Sequence, residues 1–333
     1  MVQIFGILIA LAGLSVLLYT LERLFPSVPG QPWRRRDSNV DMLYWLFTPL
    51  VTRTILKIVG VAGVIVVLGV LGRQAGPRIA EGFGPLVWQP LWLLLIEMLL
   101  LGDLIGYWTH RWFHRSRQWK FHAVHHSSTR LDWLSTLRVH PVNDVVSKLV
   151  PALVLVCLGF PLKALAGYVP LLTFYAILLH ANVDWSFGPL RYVIASPQFH
   201  RWHHTTEEQG LNKNFAPLFP FVDLAFGTFH MPRGRRPERF GTSGTQVPET
   251  FLGQLLFPFR SDSAEGQSSV ARPSLDAVVA KCLAGAETRK VRAFIDTLNV
   301  PGWPQTAARL RVDRDKEAEK PARESVAADY DQG

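Results

Sequence analysis

The sequence predicts an all-α, polytopic integral membrane protein with about four to five transmembrane helices and a cytosolic helical cap rich in histidine. Several apolar segments approach the roughly 20 residues that a helix needs to cross a bilayer. Arginines concentrate in one loop between these segments, and all eleven histidines lie between residues 110 and 230. A soluble protein with buried core helices is the alternative, and the length of the apolar segments argues against it.

The apolar segments are the predicted transmembrane helices. They comprise residues 4–21, 55–71 and 85–107, followed by two runs within residues 145–182. The break between the last two runs, at Gly159, Phe160 and Pro161, predicts a tight hairpin between a fourth and a fifth helix. Those two helices either span the membrane or form a re-entrant pair that does not fully cross it.

The arginines orient the chain under the positive-inside rule. The loop between the first two segments carries Arg23, Arg34, Arg35, Arg36 and Arg53, and the next loop carries Arg73 and Arg78. We therefore expect the first loop in the cytosol, which places residues 108–144 and everything after about residue 183 on the same side. All the histidine clusters then face the cytosol.

The remaining composition narrows the class of protein. The net charge of +9 fits membrane loops that face anionic lipid, and we expect no nucleic-acid partner. The two cysteines, Cys157 and Cys282, indicate neither a disulfide framework nor a cysteine-based zinc site.

Eight of the histidines form three clusters. They are His110 and His114; His122, His125 and His126; and His200, His203 and His204. A helix brings positions i, i+3 and i+4 onto one face, so we expect each cluster to direct its imidazoles at one point. Ser196 suits the N-cap, and Pro197 the first turn, of a helix that carries the third cluster. Eight ligands exceed what one ion normally takes from a protein, and the sequence therefore predicts a two-metal site beside the membrane.

Other metal proteins fit these clusters less well. Imidazole binds iron, zinc, copper and nickel, so the ligand type leaves the metal open. A structural zinc site usually includes cysteine, a metalloprotease needs His-Glu-x-x-His, and ferritin-type di-iron bundles need Glu-x-x-His pairs. The sequence shows none of these motifs. A metal transporter or sensor stays open as a rival, although no histidine lies in the middle of a predicted span.

With their surroundings, the clusters resemble the fatty acid hydroxylase/sterol desaturase superfamily of integral membrane enzymes. The resemblance rests on His110-x-x-x-His114, His122-x-x-His125-His126 and His200-x-x-His203-His204. Shorter matches lie at Leu131–Trp133, Arg138–Pro141, His180–Asp184 and Asp223–Thr228. The resemblance covers about residues 95–232 and does not single out one member of the superfamily.

The resemblance implies two iron ions, with zinc as a substitute metal, that activate O2 for attack on a C–H bond of a lipid. By position, the implied ligands are His110, His114, His122, His125, His126, His180, His200, His203 and His204. Members often have a further ligand four residues before His180, where this chain has Ala176. Asp103, His140, Asn182 and Asp184 are expected to support the ligands from outside, although His140 fits a helix cap or a core position equally well. His230 is expected to be structural.

These expectations favour a lipid hydroxylase, with a desaturase or an ether-lipid monooxygenase on the same site as the alternative. The sequence contains no G-x-G-x-x-G motif between a strand and a helix, no P-loop and no haem-attachment motif. We therefore expect electrons from a separate donor, such as a ferredoxin or a cytochrome with its reductase, and a lipid substrate from the bilayer. The expected location is a bacterial inner membrane or its equivalent.

The sequence divides into four predicted regions. Residues 1–94 hold the amino-terminal transmembrane helices, and residues 95–232 hold the catalytic domain. Residues 233–260 form an extension along the membrane face, and residues 261–333 form a polar, partly disordered tail.

Overall fold

The computed structural model describes residues 2–260, apart from residues 33, 73 and 74, and the regular structure of these residues is helical. The α-helices are α1 (Val2–Leu24), α2 (Ser38–Phe47), α3 (Arg53–Leu71), α4 (Ala75–Glu81), α5 (Leu91–Phe113), α6 (Trp119–His126), α7 (Pro141–Cys157), α8 (Leu162–His180), α9 (Pro197–His203), α10 (Pro220–Ala225) and α11 (Phe251–Leu256). Short 3-10 helices cover Gly84–Trp88, Ser116–Gln118, Trp133–Leu137, Gly188–Tyr192, Glu208–Gly210 and Phe257–Phe259. The predicted all-α fold class is confirmed, whereas the expected polar tail, with Cys282, lies outside the described residues.

Four helical segments in the described part of the chain are long and apolar enough to cross a membrane. They are Phe5–Leu24, Ser38–Val66, Leu91–Phe113 and Leu162–His180. Four is the lower limit of the predicted four to five spans. The expected fourth span, α7, has only 17 residues. Asn143 near the start of α7 contacts His122, and His180 at the end of α8 contacts His125, so the two helices lead away from the histidines and back as a pair. The break before α8 lies where the sequence predicted it.

The second span begins at Ser38 rather than near Ile55, because α2 continues through a π-helical turn, Thr48–Thr52, directly into α3. Pro49 in this turn has no N–H to donate to the preceding turn, which accounts for the local departure from α-helical geometry.

Helices α5, α7 and α8 pack together and carry the histidine-bearing region. Met98 of α5, Leu155 of α7 and Leu165 of α8 belong to one buried apolar cluster. Gly159 makes the turn between α7 and α8 with φ of 103°, and a Cβ at this position would lie 2.6 Å from the carbonyl oxygen of Phe83. Only glycine fits this close approach without strain.

The amino-terminal helices hold the segment between α6 and α7. Glu22 Oε1 of α1 accepts hydrogen bonds from the backbone N–H of Asn182 at 2.8 Å and of Trp133 at 3.2 Å. The indole N–H of Trp45 donates to the carbonyl oxygen of Leu134 at 2.8 Å. These contacts tie residues 133–137 to both α1 and α2.

A buried set of charges extends this attachment. Arg35 contacts Asp132 at 2.5 Å and Asp41 at 2.6 Å, and Arg138 contacts Asp41 and Asp37, each at 2.6 Å. We call these five residues the arginine–aspartate cluster. Arg35, one of the arginines that orient the chain in the sequence, is thus buried in ion pairs. Burial alone lowers the pKa of its guanidinium, but the hydrogen bond and charge of Asp132 raise that pKa above its ordinary value, so Arg35 stays charged.

Candidate metal centre

Four helices bring nine histidines together in two groups. The ends of α5, α8 and α9 and the whole of α6 supply them. The first group comprises His110, His114, His122, His126 and His203, and the second comprises His125, His180, His200 and His204. One ring nitrogen from each member lies within 4.8 Å of those of the other members of its group. The nine are the histidines to which the resemblance assigned a ligand role.

Each histidine triplet is divided between the two groups, which differs from the sequence prediction that a triplet faces one point. On α6, His122 and His126 join the first group and His125 joins the second. On α9, His203 joins the first group. The helical rotation of about 100° per residue explains the division, because positions i+3 and i+4 lie on opposite sides of position i.

In the first group the Nε2 atoms face one another. His122 Nε2 lies 3.0 Å from His110 Nε2 and 3.1 Å from His126 Nε2. His126 Nε2 lies 3.1 Å from His203 Nε2. His114 Nε2 is buried without a hydrogen-bond partner among the described residues.

The second group has the same arrangement. His180 Nε2 lies 3.1 Å from both His125 Nε2 and His200 Nε2. His204 Nε2 lies 3.0 Å from His200 Nε2. All four side chains in this group therefore direct the same ring atom at one small volume.

Six of the nine histidines direct the other ring nitrogen, Nδ1, at a protein oxygen. The pairs are His110 with Phe215 O (2.8 Å), His114 with Asn212 Oδ1 (3.3 Å), His122 with Asn143 Oδ1 (2.8 Å), His125 with Arg138 O (3.2 Å), His180 with Ala176 O (2.7 Å) and His203 with Lys213 O (2.8 Å). Because an oxygen of this kind accepts a hydrogen bond, Nδ1 carries the proton and Nε2 presents a lone pair to the interior. Metal-binding histidines show this pattern.

The electrostatics keep these rings neutral. Burial lowers the pKa of the seven histidines outside the candidate spans well below the ordinary value, and neighbouring charges lower it further. Neutral imidazole is the form that binds a metal ion. Facing lone pairs repel one another, so each group is unfavourable unless a cation lies between its nitrogens.

The spacing of the nitrogens fits such a cation. Two imidazole nitrogens bound to one ion at about 2.1 Å, with an angle of 90° between them, lie about 3.0 Å apart. Neighbouring Nε2 atoms lie 3.0 to 3.1 Å apart in both groups. The chemistry of the donor set therefore suits two transition-metal ions, and imidazole alone leaves their identity open.

A cavity of about 280 Å³ lies beside the two groups. Histidines of both groups line it, together with residues of α5, α7 and α8. Leu165, Val169 and Leu172 of α8 give it an apolar wall, whereas Asp144 and Lys148 of α7 give it a charged one.

The four residues expected to support the ligands make no hydrogen bond to the nine histidines in the described part of the chain. Asp103 accepts instead from the backbone N–H of Leu218 at 2.6 Å and of Phe219 at 3.1 Å. It therefore fixes the loop in which the carbonyl oxygen of Phe215 accepts from His110. The contact of Asp103 with the site is indirect, through this loop.

The other three residues lie farther out. Asn182 exchanges hydrogen bonds with the backbone of Val28, and Asp184 pairs with Arg236. His140 forms the N-cap of α7 and contacts the carbonyl oxygen of Leu255 at 3.1 Å. The helix-cap alternative for His140 thus describes its position.

Three polar residues close to the groups were absent from the sequence predictions. Asn143 and Asn212 accept from His122 and His114, and no motif marks either asparagine. Arg201, which lies between His200 and His203 on α9, is fully buried and donates to the carbonyl oxygen of Leu131 at 3.0 Å. Burial lowers the pKa of Arg201 to about 10, so the side chain stays cationic at neutral pH. Its place between two histidines of a cluster was the signal that could have singled it out.

Comparison with known proteins agrees with this arrangement. The model of the fatty acid hydroxylase family matches residues 95–228. An ornithine lipid hydroxylase of Rhizobium tropici is 29% identical over 247 residues, which cover 72% of this chain and 71% of that protein. An alkylglycerol monooxygenase of Danio rerio is 29% identical over 150 residues, or 44% of this chain and 32% of its own length. A very-long-chain aldehyde decarbonylase of Oryza sativa is 25% identical over 182 residues, 49% of this chain and 28% of its own. No solved structure matches the chain.

Proposed function

Because this chain belongs to the fatty acid hydroxylase family, we propose that it is a membrane-bound di-iron oxygenase that uses O2 and external electrons to hydroxylate a C–H bond of a lipid. The observation that carries the proposal is the pair of buried histidine groups, whose Nε2 lone pairs converge without a donor from the described residues between them. We assign one iron ion to each group, with its histidines as ligands. When bound, the two ions supply the activation of O2 that attack on an unactivated C–H bond requires.

The residues of the chain prepare the site for that chemistry. The acceptors around the groups hold six rings in a single tautomer and orientation, and burial excludes water from the ring nitrogens. The apolar wall of the cavity receives the hydrocarbon part of a lipid. A fully polar substrate would make no favourable contact with this apolar wall. The wall therefore favours a lipid that enters from the bilayer.

The relatives suggest which lipid to test first. The alignment with the ornithine lipid hydroxylase extends well beyond the histidine region, to 72% of this chain. We therefore take a polar, amino-acid-headed membrane lipid as the first candidate substrate. An ether lipid is the second, because the alkylglycerol monooxygenase is similar over 150 residues of this chain.

We further propose that the histidine groups face the cytosol, where a reduced ferredoxin or a cytochrome with its reductase is available. Arg34 and Arg36, which are exposed between the first two candidate spans, support this orientation. A cleft of about 1,250 Å³ on the surface carries exposed Arg233, Arg235 and Arg239, a charge that suits an acidic donor protein.

The test is a reaction with defined components. The chain is purified in detergent, reconstituted with ferrous iron and supplied with a reducing system, isotopically labelled O2 and ornithine lipid or an alkylglycerol. We expect two iron ions per chain and a product that contains one labelled oxygen atom, detected by mass spectrometry. A product short of two hydrogens would replace the hydroxylase assignment by a desaturase, and protein free of iron after reconstitution would refute the di-iron site.

A further inference from the structure

The cavity beside the histidines carries an ion pair that neither histidine group uses. Asp144 and Lys148 lie one helical turn apart on α7, and Lys148 Nζ donates to Asp144 Oδ1 at 2.5 Å. Asp144 is only 8% exposed, and its Oδ2 is buried without a hydrogen-bond partner among the described residues. An ammonium group has three N–H donors, of which one is engaged here. An acceptor oxygen and two donors are therefore available on the cavity wall.

An ion pair at this position is energetically costly to bury. Helix α7 packs against α5 and α8, both of which are candidate membrane spans. Gly102 and Gly106 of α5 and Leu172 of α8 line the same cavity as the pair. Ionisable side chains among membrane helices are rare, and they usually mark the path or the binding site of a polar ligand.

The rest of the cavity wall is polar on one side and apolar on the other. Thr136, Asn143 and Ser147 extend the polar side around the ion pair, and the apolar residues of α8 form the other side. A volume of about 280 Å³ lies near the lower end of the range for ligand pockets, about 300 to 1,000 Å³. The cavity thus suits a polar headgroup with the first part of a hydrocarbon chain.

We propose that Asp144 and Lys148 bind the headgroup of a zwitterionic lipid, an inference that rests on the proposed lipid oxygenase function. The free oxygen of Asp144 accepts a hydrogen bond from a primary ammonium of the lipid. The free N–H groups of Lys148 donate to its carboxylate or phosphate. The hydrocarbon chain follows the apolar wall of α8. A neutral headgroup would leave the charged pair without these partners, and the site discriminates against it for that reason.

The first test uses the unmodified, iron-loaded chain in detergent, with binding measured by native mass spectrometry. Four lipids with matched hydrocarbon chains are compared: ornithine lipid, ornithine lipid acetylated on its amine, phosphatidylethanolamine and an alkylglycerol. We expect ornithine lipid to bind about tenfold or more tightly than its acetylated form and than the alkylglycerol. Phosphatidylethanolamine reports whether phosphate replaces carboxylate as the anion. Equal affinity for all four lipids would overturn the assignment.

The second test changes the protein. Asp144→Asn keeps the shape of the side chain and removes its charge, and we expect it to abolish the preference for the free amine over the acetylated amine. Lys148→Met keeps most of the side-chain length, and we expect it to weaken binding of both ornithine lipids. Lys163→Gln is the matched control, because it removes an exposed ion pair with Glu81, and its binding should equal that of the parent chain. An Asp144→Asn protein that retains the full preference contradicts the proposal.

Binding and turnover are measured separately, so the two proposals can fail independently. A chain that binds zwitterionic lipids selectively but oxidises none of them counts against the oxygenase function. A chain that oxidises lipids regardless of headgroup counts against the role of Asp144 and Lys148. If either variant does not fold, the comparison of the four lipids on the unmodified chain still decides.

Discussion

The histidine groups and the arginine–aspartate cluster are both buried polar assemblies, but within the described residues only the cluster has partners for its polar groups. In the cluster, Arg35 and Arg138 meet carboxylates of opposite charge at 2.5 to 2.6 Å. In the histidine groups, the inward nitrogens meet only one another among the residues that the structure describes. Burial of a polar group is unfavourable unless a partner compensates it, so the charges of the cluster compensate one another whereas the groups require a ligand.

The two assemblies also adjoin. The side chain of Arg138 belongs to the cluster, and its carbonyl oxygen accepts from His125 Nδ1 at 3.2 Å. The cluster therefore holds part of the frame around the second histidine group. Substitutions on either side of this contact should separate loss of ligand binding from loss of stability.

The largest effect is expected from removal of a ligand. His125→Ala leaves three histidines in the second group, and we expect lipid oxidation to fall by more than about 100-fold, beyond the cost of losing an outer hydrogen bond. Bound iron, measured by elemental analysis, should fall with it while the protein remains folded. His230→Ala, at a histidine outside both groups, is the control and should keep its iron. Full turnover by His125→Ala would remove this residue from the ligand set.

A smaller effect, on stability rather than chemistry, is expected in the cluster. Arg138→Met leaves Asp37 and Asp41 short of a partner, and breaking a buried pair in this way costs about 3 to 5 kcal/mol. We expect a clear fall in the thermal unfolding temperature of the purified protein. Arg36→Met is the matched control, because Arg36 pairs with Glu249 on the surface, where their side chains are 86% and 71% exposed. Equal unfolding temperatures for the two variants would mean that burial does not distinguish these ion pairs.

The smallest effect is expected where a protein group supports a ligand from outside. Asn143→Leu removes the acceptor for His122 Nδ1, and changes of this kind cost about 10- to 100-fold in metal affinity or activity. Asn143→Asp retains an acceptor oxygen and should bind iron nearly as well as the parent chain. Iron affinity is measured by competition with a chelator. Unchanged affinity in Asn143→Leu would show that the orientation of His122 does not depend on this bond.

Local spacing singled out eight of the nine histidines that the structure brings together, because spacing is a property of single helices. The triplets on α6 and α9 could be recognised as metal-ligand patterns before any tertiary structure was known. Their division into two groups could not, because it depends on how α5 and α8 approach these two short helices. The same limit applies to His180, which only the resemblance brought into the set.

The charged and polar residues around the histidines could not be predicted from the sequence, for a related reason. Arg35 and Asp132 are 97 residues apart, as are Arg138 and Asp41, and no local pattern links them. Arg35 looked like one loop arginine among several, and Asn143 like an ordinary polar residue in the first turn of a helix. The number of candidate spans, four, lies within the predicted range, although hydropathy alone did not show that α7 is shorter than the other candidate spans.

The division of the triplets has one further consequence. Helices α6 and α9 each contribute histidines to both groups, so the two groups share these two helices. A shift of either helix would move histidines of both groups at once. The two halves of the centre are therefore mechanically linked, and neither can be adjusted by mutation of these helices without disturbing the other.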